Sequence, residues 1–366
     1  PAYCVYRFNK GAFPWYYHKL FRLPHYKGRI KRASTGVIES RLRLYSDNLG
    51  RIESLLPPFD EQVAIVRFLD HANRKIDRFI RTKRKLIGLL NEQKQAIIHR
   101  AVTRGLHPEV PLKPSGIDRI GDIPAHWDTP LLGRCLTKIE QGWSPVAAEG
   151  ELADNQWCVL TLSSVRRGFF NPTAIKPVSR LAKIPGNIEI ANGDFLLTRS
   201  NTRDRVGDVC IVKETRPRTL LCDLIYRLSL RKSAFVPQFL VYQLLCPLGR
   251  GQIESDARGS SGTMPKISQR HIKSWRVLLP PTKEQQNIVE YITNESQPLD
   301  VAIARTEHEI ALMQEYRTRL TSDVVTGKLD VREAAAHLPE LNADFDTDPS
   351  SIDESLDDSE LELDQE

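Results

Sequence analysis

Four short stretches of this 366-residue chain gather side chains able to hold a phosphate or read a base edge. Arg166 and Arg167 stand in Ser163-Ser-Val-Arg-Arg-Gly168, and Arg199, Asn201, Arg203 and Arg205 fall within seven residues. Ser260, Ser261, Thr263 and Lys266 belong to a Gly-Ser-rich run, where small side chains let backbone approach an anion. Arg41 and Arg43 form the fourth stretch. Guanidinium and ammonium groups pair with phosphate, while Arg and Asn present forks that match base edges. Any one of these residues also fits a solvated surface, so the chemistry they suggest, binding to a polyanion, rests on the set.

No catalytic constellation accompanies them. The chain has no P-loop, no GxGxxG, no HExxH and no Asp/Asn-Pro-Pro-Tyr/Phe run of an adenine methyltransferase. Its nine histidines are isolated from one another, and its densest carboxylates lie in a C-terminal stretch too poor in apolar residues to hold them rigidly. The six cysteines show no CxxC spacing, so no metal site is expected and they read as buried thiols of a reducing cytoplasm. No apolar run reaches the ~18 residues of a membrane span, which predicts a cytoplasmic protein with no membrane partner. Charge is divided unevenly. Residues 1–106 carry 22 Lys and Arg against 8 Asp and Glu, and residues 107–329 carry 29 against 24. Residues 330–366 hold one Arg and 14 acids. A body this basic favours a polyanionic partner.

The elements that must position these residues come in two copies. Leu56-Pro-Pro-Phe-Asp-Glu-Gln-Val-Ala-Ile-Val66 recurs as Leu279-Pro-Pro-Thr-Lys-Glu-Gln-Gln-Asn-Ile-Val289, an offset of 223, and 15 of the 51 positions from 56 to 106 are identical at that offset. The register extends upstream: Tyr3 falls on Tyr226, Pro14 on Pro237, Pro24 on Pro247 and Ile30 on Ile253. Residues 1–106 therefore repeat 224–329, and Ser34, Thr35, Arg41 and Arg43 match the Gly-Ser-rich loop. Residues 107–223 have no counterpart upstream, so two full repeats would place about 115 further residues before Pro1, a truncated duplication.

Each copy ends in a long helix. Pro57-Pro58 excludes helix before it, Asp60 is the expected N-cap, and Glu61 suits the first turn. Beyond it Ile76, Ile80, Lys83, Ile87, Leu90, Lys94, Ile97 and Ala101 step by alternating four and three, as do Leu299, Ile303, Thr306, Ile310, Met313, Arg317, Leu320 and Val324. Two such seams predict an antiparallel coiled coil, with Pro298 marking a kink or a restart. Forty helical residues would extend about 60 Å. The expected class is α+β, with globular units joined to two long helices. The expected division is 1–54, the end of a first globular unit; 55–106, a long helix; 107–126, a Pro-marked linker; 127–278, a second globular unit; 279–330, the second long helix; and 331–366, a disordered acidic tail. Short β-type runs (158–162, 194–198, 208–212, 220–230) and a helix over 234–245 fill the second globular unit.

The Leu-Pro-Pro-x-x-Glu-Gln-x-x-Ile-Val entry, present twice, resembles the conserved regions of type I restriction-modification specificity subunits. So do Ala101-Val-Thr-Arg-Gly-Leu106 and Val324-Val-Thr-Gly-Lys-Leu329 at the helix ends. Ser115–Trp127 resembles the opening of a target-recognition domain of that family, and Gly193–Asn201 with Val206-Gly207 its central strand and loop. The resemblance implies two recognition domains that each read half of a split DNA sequence, joined by paired helices acting as a ruler. It implies double-stranded DNA, two methyltransferase subunits and restriction subunits as partners. It implies no catalysis and no cofactor in this chain, with S-adenosylmethionine, ATP and Mg on the partners. Arg81, Lys83, Arg84 and Lys85 would then track phosphates, meet a methyltransferase subunit, or simply face solvent. A second reading is a truncated scaffold that binds methyltransferase subunits yet reads at most one half-site.

Overall fold

A computed structural model describes residues 6–36, 42–117, 120–145, 152–153, 155–179, 183–231, 234–257 and 264–340. From the N-terminus come helices α1 (Pro14–Arg22), α2 (Pro24–Ala33), α3 (Ser46–Gly50) and the 46-residue α4 (Phe59–Arg104). A hairpin of β1 (Leu112–Pro114) and β2 (Asp122–Pro124) precedes α5 (Leu132–Cys135) and β3 (Leu136–Gln141). Then follow β4 (Cys158–Leu160), β5 (Val165–Arg166), β6 (Phe169–Phe170), β7 (Ile175–Pro177), β8 (Phe195–Thr198), β9 (Val209–Ile211), β10 (Thr219–Leu220) and β11 (Ile225–Leu230). The chain closes with α6 (Pro237–Leu245), α7 (Pro247–Asp256), α8 (Gln269–Ser274), the 44-residue α9 (Thr282–Val325) and α10 (Arg332–Ala336). The mixed fold with two long helices expected from the sequence is thus the fold observed.

Two compact units divide the chain, and the division passes through both long helices: residues 1–88 with 303–366, and residues 89–302. In the first unit, α1 and α2 each start on a proline that costs no helical hydrogen bond and end on Lys or Arg that favours the negative helix end. Their buried face (Tyr16, Leu20, Leu23, Tyr26) packs on Ile65, Val66 and Leu69 of α4 and on Val324 and Val325 of α9. The Tyr16 hydroxyl donates to the Val325 carbonyl at 3.1 Å. The tail departs from expectation at its start. Val331 is buried in this same core, and the five-residue α10, with Ala335 buried on it, forms there despite the acidic composition around it. Residues 341–366 of the expected disordered tail lie outside the described residues.

The second unit repeats this packing and adds a sheet. Ile288 and Ile292 of α9, with Ile98, Ala101 and Val102 of α4, meet Phe239, Leu240 and Leu244 of α6. The four-stranded sheet runs β3-β11-β8-β9, antiparallel throughout. Phe195 and Leu197 of β8 face the helices, while Leu196 faces a smaller β10-β4-β7 sheet. A strand covered on both sides loses the polar alternation of a half-exposed one, which is why Phe-Leu-Leu-Thr is buried throughout.

Along α4 and α9 the seam residues are the covered ones. Ile76, Ile80 and Leu320 are buried; Ile87, Leu90, Ile97, Leu299, Ile303, Ile310 and Met313 are half-buried, with mostly exposed positions between them. Within the first unit Asp77 pairs with Arg317 and Lys83 with Glu309; within the second Lys94 pairs with Asp300. In the first unit one partner's number falls as the other's rises, so α4 and α9 run antiparallel there. α9 runs through Pro298 without a restart. Asp60 lies inside the first turn of α4 rather than at its cap, because the helix already begins at Phe59.

The repeated motif has a repeated structural reason. Gln62 is fully buried: its Oε1 accepts from Phe13 N at 2.7 Å, and its Nε2 donates to the carbonyls of Gly11 (2.9 Å) and Pro57 (2.8 Å). Gln285, 223 residues on, accepts from Val236 N at 2.8 Å and donates to Ala234 and Pro280, both at 2.9 Å. Every partner is shifted by the same 223 positions. This bond set also explains why α6 begins at Pro237 and not at Ala234. The backbone of 234 and 236 is already engaged by the glutamine.

Candidate nucleic-acid interface

Three of the cationic stretches, far apart in sequence, meet in the second unit. Arg166 pairs with Phe169 across the β5–β6 hairpin, leaving Arg167 and Gly168 as its two-residue turn. Both have positive φ, +25° and +90°, as the twist of a tight hairpin requires. For Arg167 that conformation costs about 1–2 kcal/mol. The hairpin abuts the loop after β8: Arg167 N donates to Asp208 Oδ2 at 3.3 Å, and its guanidinium to Asp204 O at 3.4 Å. On the other side of that loop, Ser200 bridges Lys266, and Ile267 N donates to Arg199 O at 2.8 Å. Arg166, Arg167, Arg203, Arg205 and Lys266 are all exposed.

Arg199 and Asn201 are placed differently. Arg199 is half-buried, its guanidinium 5.9 Å from the centre of the Tyr226 ring. Asn201 is 8% exposed, and its Oδ1 accepts from Thr202 N at 2.9 Å, so that oxygen shapes the loop. Arg43 is exposed in the first unit, where its backbone bridges Thr35. Arg41, Ser260, Ser261 and Thr263 lie outside the described residues.

Two residues that sequence reasoning passed over hold the loop in place. Arg250, on α7, donates to Val206 O at 2.8 Å and Asp204 O at 3.2 Å, and approaches Asp208 Oδ1 at 3.7 Å. Asp208 is buried, and burial raises its pKa above the ordinary carboxylate range against the pull of Arg167 and Arg250. Exposed Asp204 is held below its usual value, first by the Thr202 hydroxyl at 2.7 Å. The outer loop thus keeps a charged carboxylate beside its arginines. Nothing in the spacing of Arg250 marks it, because its partners lie more than 40 residues upstream.

The arrangement offers exposed cations on one edge of the second unit. Among the described residues no three His, Cys, Asp or Glu side chains come together as a metal site, and no helix is long and apolar enough to cross a membrane. The five described cysteines are free and buried; burial pushes the Cys210 thiol up to about 12 and the Cys222 thiol up to about 11.

No family model matches the chain. Curated relatives do. The EcoEI specificity subunit of a type I restriction enzyme from Escherichia coli is 26% identical over 211 residues, 57% of this chain and 35% of the relative. The EcoKI specificity subunit from Escherichia coli K12 is 25% identical over 94% of this chain and 74% of its own length. The MjaVIII specificity subunit of Methanocaldococcus jannaschii is 24% identical over 76% of this chain and 62% of the relative. The chain thus spans only about a third of the first of these relatives. Among solved structures, a chain from work on complex assembly and conformational transition of the type I R-M system superposes with a TM-score of 0.62 at 17% identity. That match covers 89% of this chain and 74% of the other, and the likeness is one of fold.

Proposed function

We propose, on the premise that this chain is a relative of type I restriction enzyme specificity subunits, that it is the sequence-reading, non-catalytic DNA-binding subunit of such an enzyme. The observation that carries the reading is the likeness to the EcoKI subunit, which runs through both copies of the repeat. The convergence of Arg166, Arg167, Arg203, Arg205 and Lys266 on one edge of the second unit supports it. Cations on such an edge fix phosphates and set the register in which bases are read. In this reading methyltransferase and restriction subunits dock on the chain in the cytoplasm and bring S-adenosylmethionine, ATP and Mg with them.

The test is footprinting of the chain with its methyltransferase subunits on a DNA library. Protection of a defined sequence is expected, weakened when Arg203 and Arg205 are replaced by Ala, with each lost phosphate contact lowering the salt slope by about one. Binding indifferent to sequence, or methylation by the purified chain alone, overturns the reading. A second reading has one observation in its favour: among the described residues only the second unit carries a multi-stranded sheet with an arginine-bearing loop. It is a scaffold for methyltransferase subunits that reads one half-site, and it predicts protection of one half-site only.

A further inference from the structure

The repeat lets one unit state what the other is built to hold. In the second unit the segment Trp275–Leu279 has two hydrogen-bonding edges. Inward, Gln252 Nε2 donates to Arg276 O at 3.0 Å, and Leu278 N donates to Gln243 Oε1 at 3.0 Å. Outward, the segment pairs antiparallel with Asp128–Leu132: Leu132 N donates to Trp275 O (2.7 Å), Val277 N to Pro130 O (3.1 Å), Leu279 N to Asp128 O (2.8 Å) and Asp128 N to Leu279 O (3.2 Å). Glu284 completes the dock, accepting from Trp127 Nε1 at 3.1 Å and sharing a hydrogen bond with His126 Nε2 at 2.7 Å. Gly133 lies so close to Lys273 that an added Cβ would sit 3.0 Å from that residue's carbonyl oxygen.

At the offset of 223 the first unit has the same segment, Ile52–Leu56, and the same acceptor, Glu61. Its inward edge is satisfied in the same manner. Arg29, the counterpart of Gln252, donates to Glu53 O at 3.1 Å, and Leu55 N donates to Tyr26 Oη at 3.3 Å. Its outward edge is open: among the described residues Ile52 O, Ser54 N, Leu56 N and Leu56 O have no backbone partner. Leu55 is 42% exposed where Leu278 is fully buried, and Leu56 is 69% exposed. A groove of about 810 Å³ beside this edge is lined by Phe8, Tyr17, Phe21, Leu56 and Phe59. The charge of Glu61 reaches Arg332, whose guanidinium is itself engaged by Asp330 at 2.6 Å.

We propose that residues 52–56 with Glu61 form an acceptor for a polypeptide folded like residues 107–223, which adds an extended strand to the open edge and sets an indole N–H on the Glu61 carboxylate. An unpaired strand edge beside apolar surface is a template for such an addition. The occupant's chemistry is that of His126–Gly133: an indole, an extended stretch, a Leu that enters the core and a glycine where backbones touch. The proposal stands on the duplication, so a chain that bound no DNA would keep this site.

A fluorescein-labelled peptide of residues 122–136 is the probe, titrated into the full chain and followed by anisotropy, with amide exchange read at Ser54 and Leu56. The peptide should bind and slow exchange at those two amides. Glu61→Gln in the chain, or Trp127→Ala in the peptide, should weaken binding by about tenfold, the effect of losing a hydrogen bond to a charged acceptor. Glu284→Gln in the chain should leave peptide affinity unchanged. Absence of binding, or equal affinity for the Glu61→Gln chain, overturns the proposal, as does loss of binding on Glu284→Gln, which would place the peptide in the second unit. Self-association that protects Ser54 and Leu56 without peptide would make a second copy the occupant and overturn the one named.

Discussion

Gln62 and Gln285 sit in the same cage of three backbone groups, whereas Leu55 and Leu278, at equally matched positions, differ from 42% exposed to fully buried. The first pair is governed by bonds made inside the copy: the end of one segment, the loop before a helix, and the helix entry. The second pair is governed by what lies outside it. Residues 128–132 pair with the backbone on either side of Leu278, and no described residue pairs with the corresponding backbone in the first unit. A duplicated sequence therefore keeps its glutamine cage wherever it folds, and keeps its burial only where a neighbour supplies it.

The equivalence of the cages is the strongest claim of that comparison and the easiest to break. Gln285→Ala removes a fully buried amide and strands the Val236 amide and the carbonyls of Ala234 and Pro280. A buried backbone group left unsatisfied costs about 1–3 kcal/mol, so the substitution should cost about 3–5 kcal/mol with partial relaxation. Gln62→Ala should cost a similar amount in its own unit. Urea denaturation followed by amide exchange in each unit checks both, and a neutral outcome for one of them would end the equivalence.

A smaller effect separates the units by the sheet that only the second carries among the described residues. Trp127 is fully buried with its indole on Glu284, so Trp127→Phe loses a hydrogen bond to a charged group and some volume, about 2–3 kcal/mol. Glu61→Gln, which touches the matching acceptor in the first unit, should change stability by less than about 0.5 kcal/mol. Thermal denaturation of the two variants compares them directly. A large loss on Glu61→Gln would mean that the acceptor is already occupied.

Asp208 gives the second unit a pH axis. Burial raises its folded pKa, so the folded state holds the proton more tightly than the unfolded chain does. Its contribution to stability is therefore most favourable in acid. It is lost as pH rises from the ordinary aspartate value of 3.8 through the folded value. Asp208→Asn should flatten stability over that window, measured as urea midpoints from pH 4 to pH 7. A variant whose pH profile matches the parent would show that Arg250 and the Arg167 amide fully offset the burial.

How far the sequence could be read follows the same division. Pro57-Pro58 and the three–four spacing of Ile76, Ile80, Lys83, Ile87, Leu90, Lys94 and Ile97 specify a helix and its covered stripe locally, and the offset of 223 makes Gln62 and Gln285 comparable from the sequence alone. The start of α6 was legible only to within a turn, because Gln285, some 50 residues away, decides it. The meeting of Arg167 with the 204–208 loop and of Ser200 with Lys266 leaves no periodic trace, since it is set by hairpin twist and strand pairing. Arg250 was unreadable for the same reason. The helix over 332–336 was hidden by composition, since the stretch is acidic apart from residues such as Val331, which enters the core, and Ala335, which is buried.

The smallest expected effect tests the comparison at its finest grain. Asp77–Arg317 in the first unit and Asp300–Lys94 in the second are the same pair under the offset, with Arg in one copy where Lys stands in the other. All four side chains keep contact with water, so each pair should contribute about 0.2–1 kcal/mol and lose most of it in salt. The fork of a guanidinium can engage both carboxylate oxygens and is less hydrated than an ammonium, which favours the Arg317 pair at equal exposure. Double-mutant cycles with Asp77→Asn and Arg317→Gln, and with Asp300→Asn and Lys94→Gln, measure the two coupling energies. The first should exceed the second by a few tenths of a kcal/mol at low salt, and the two should converge at ~1 M. Equal couplings at both salt concentrations would mean that the Arg–Lys difference has no energetic consequence along this seam.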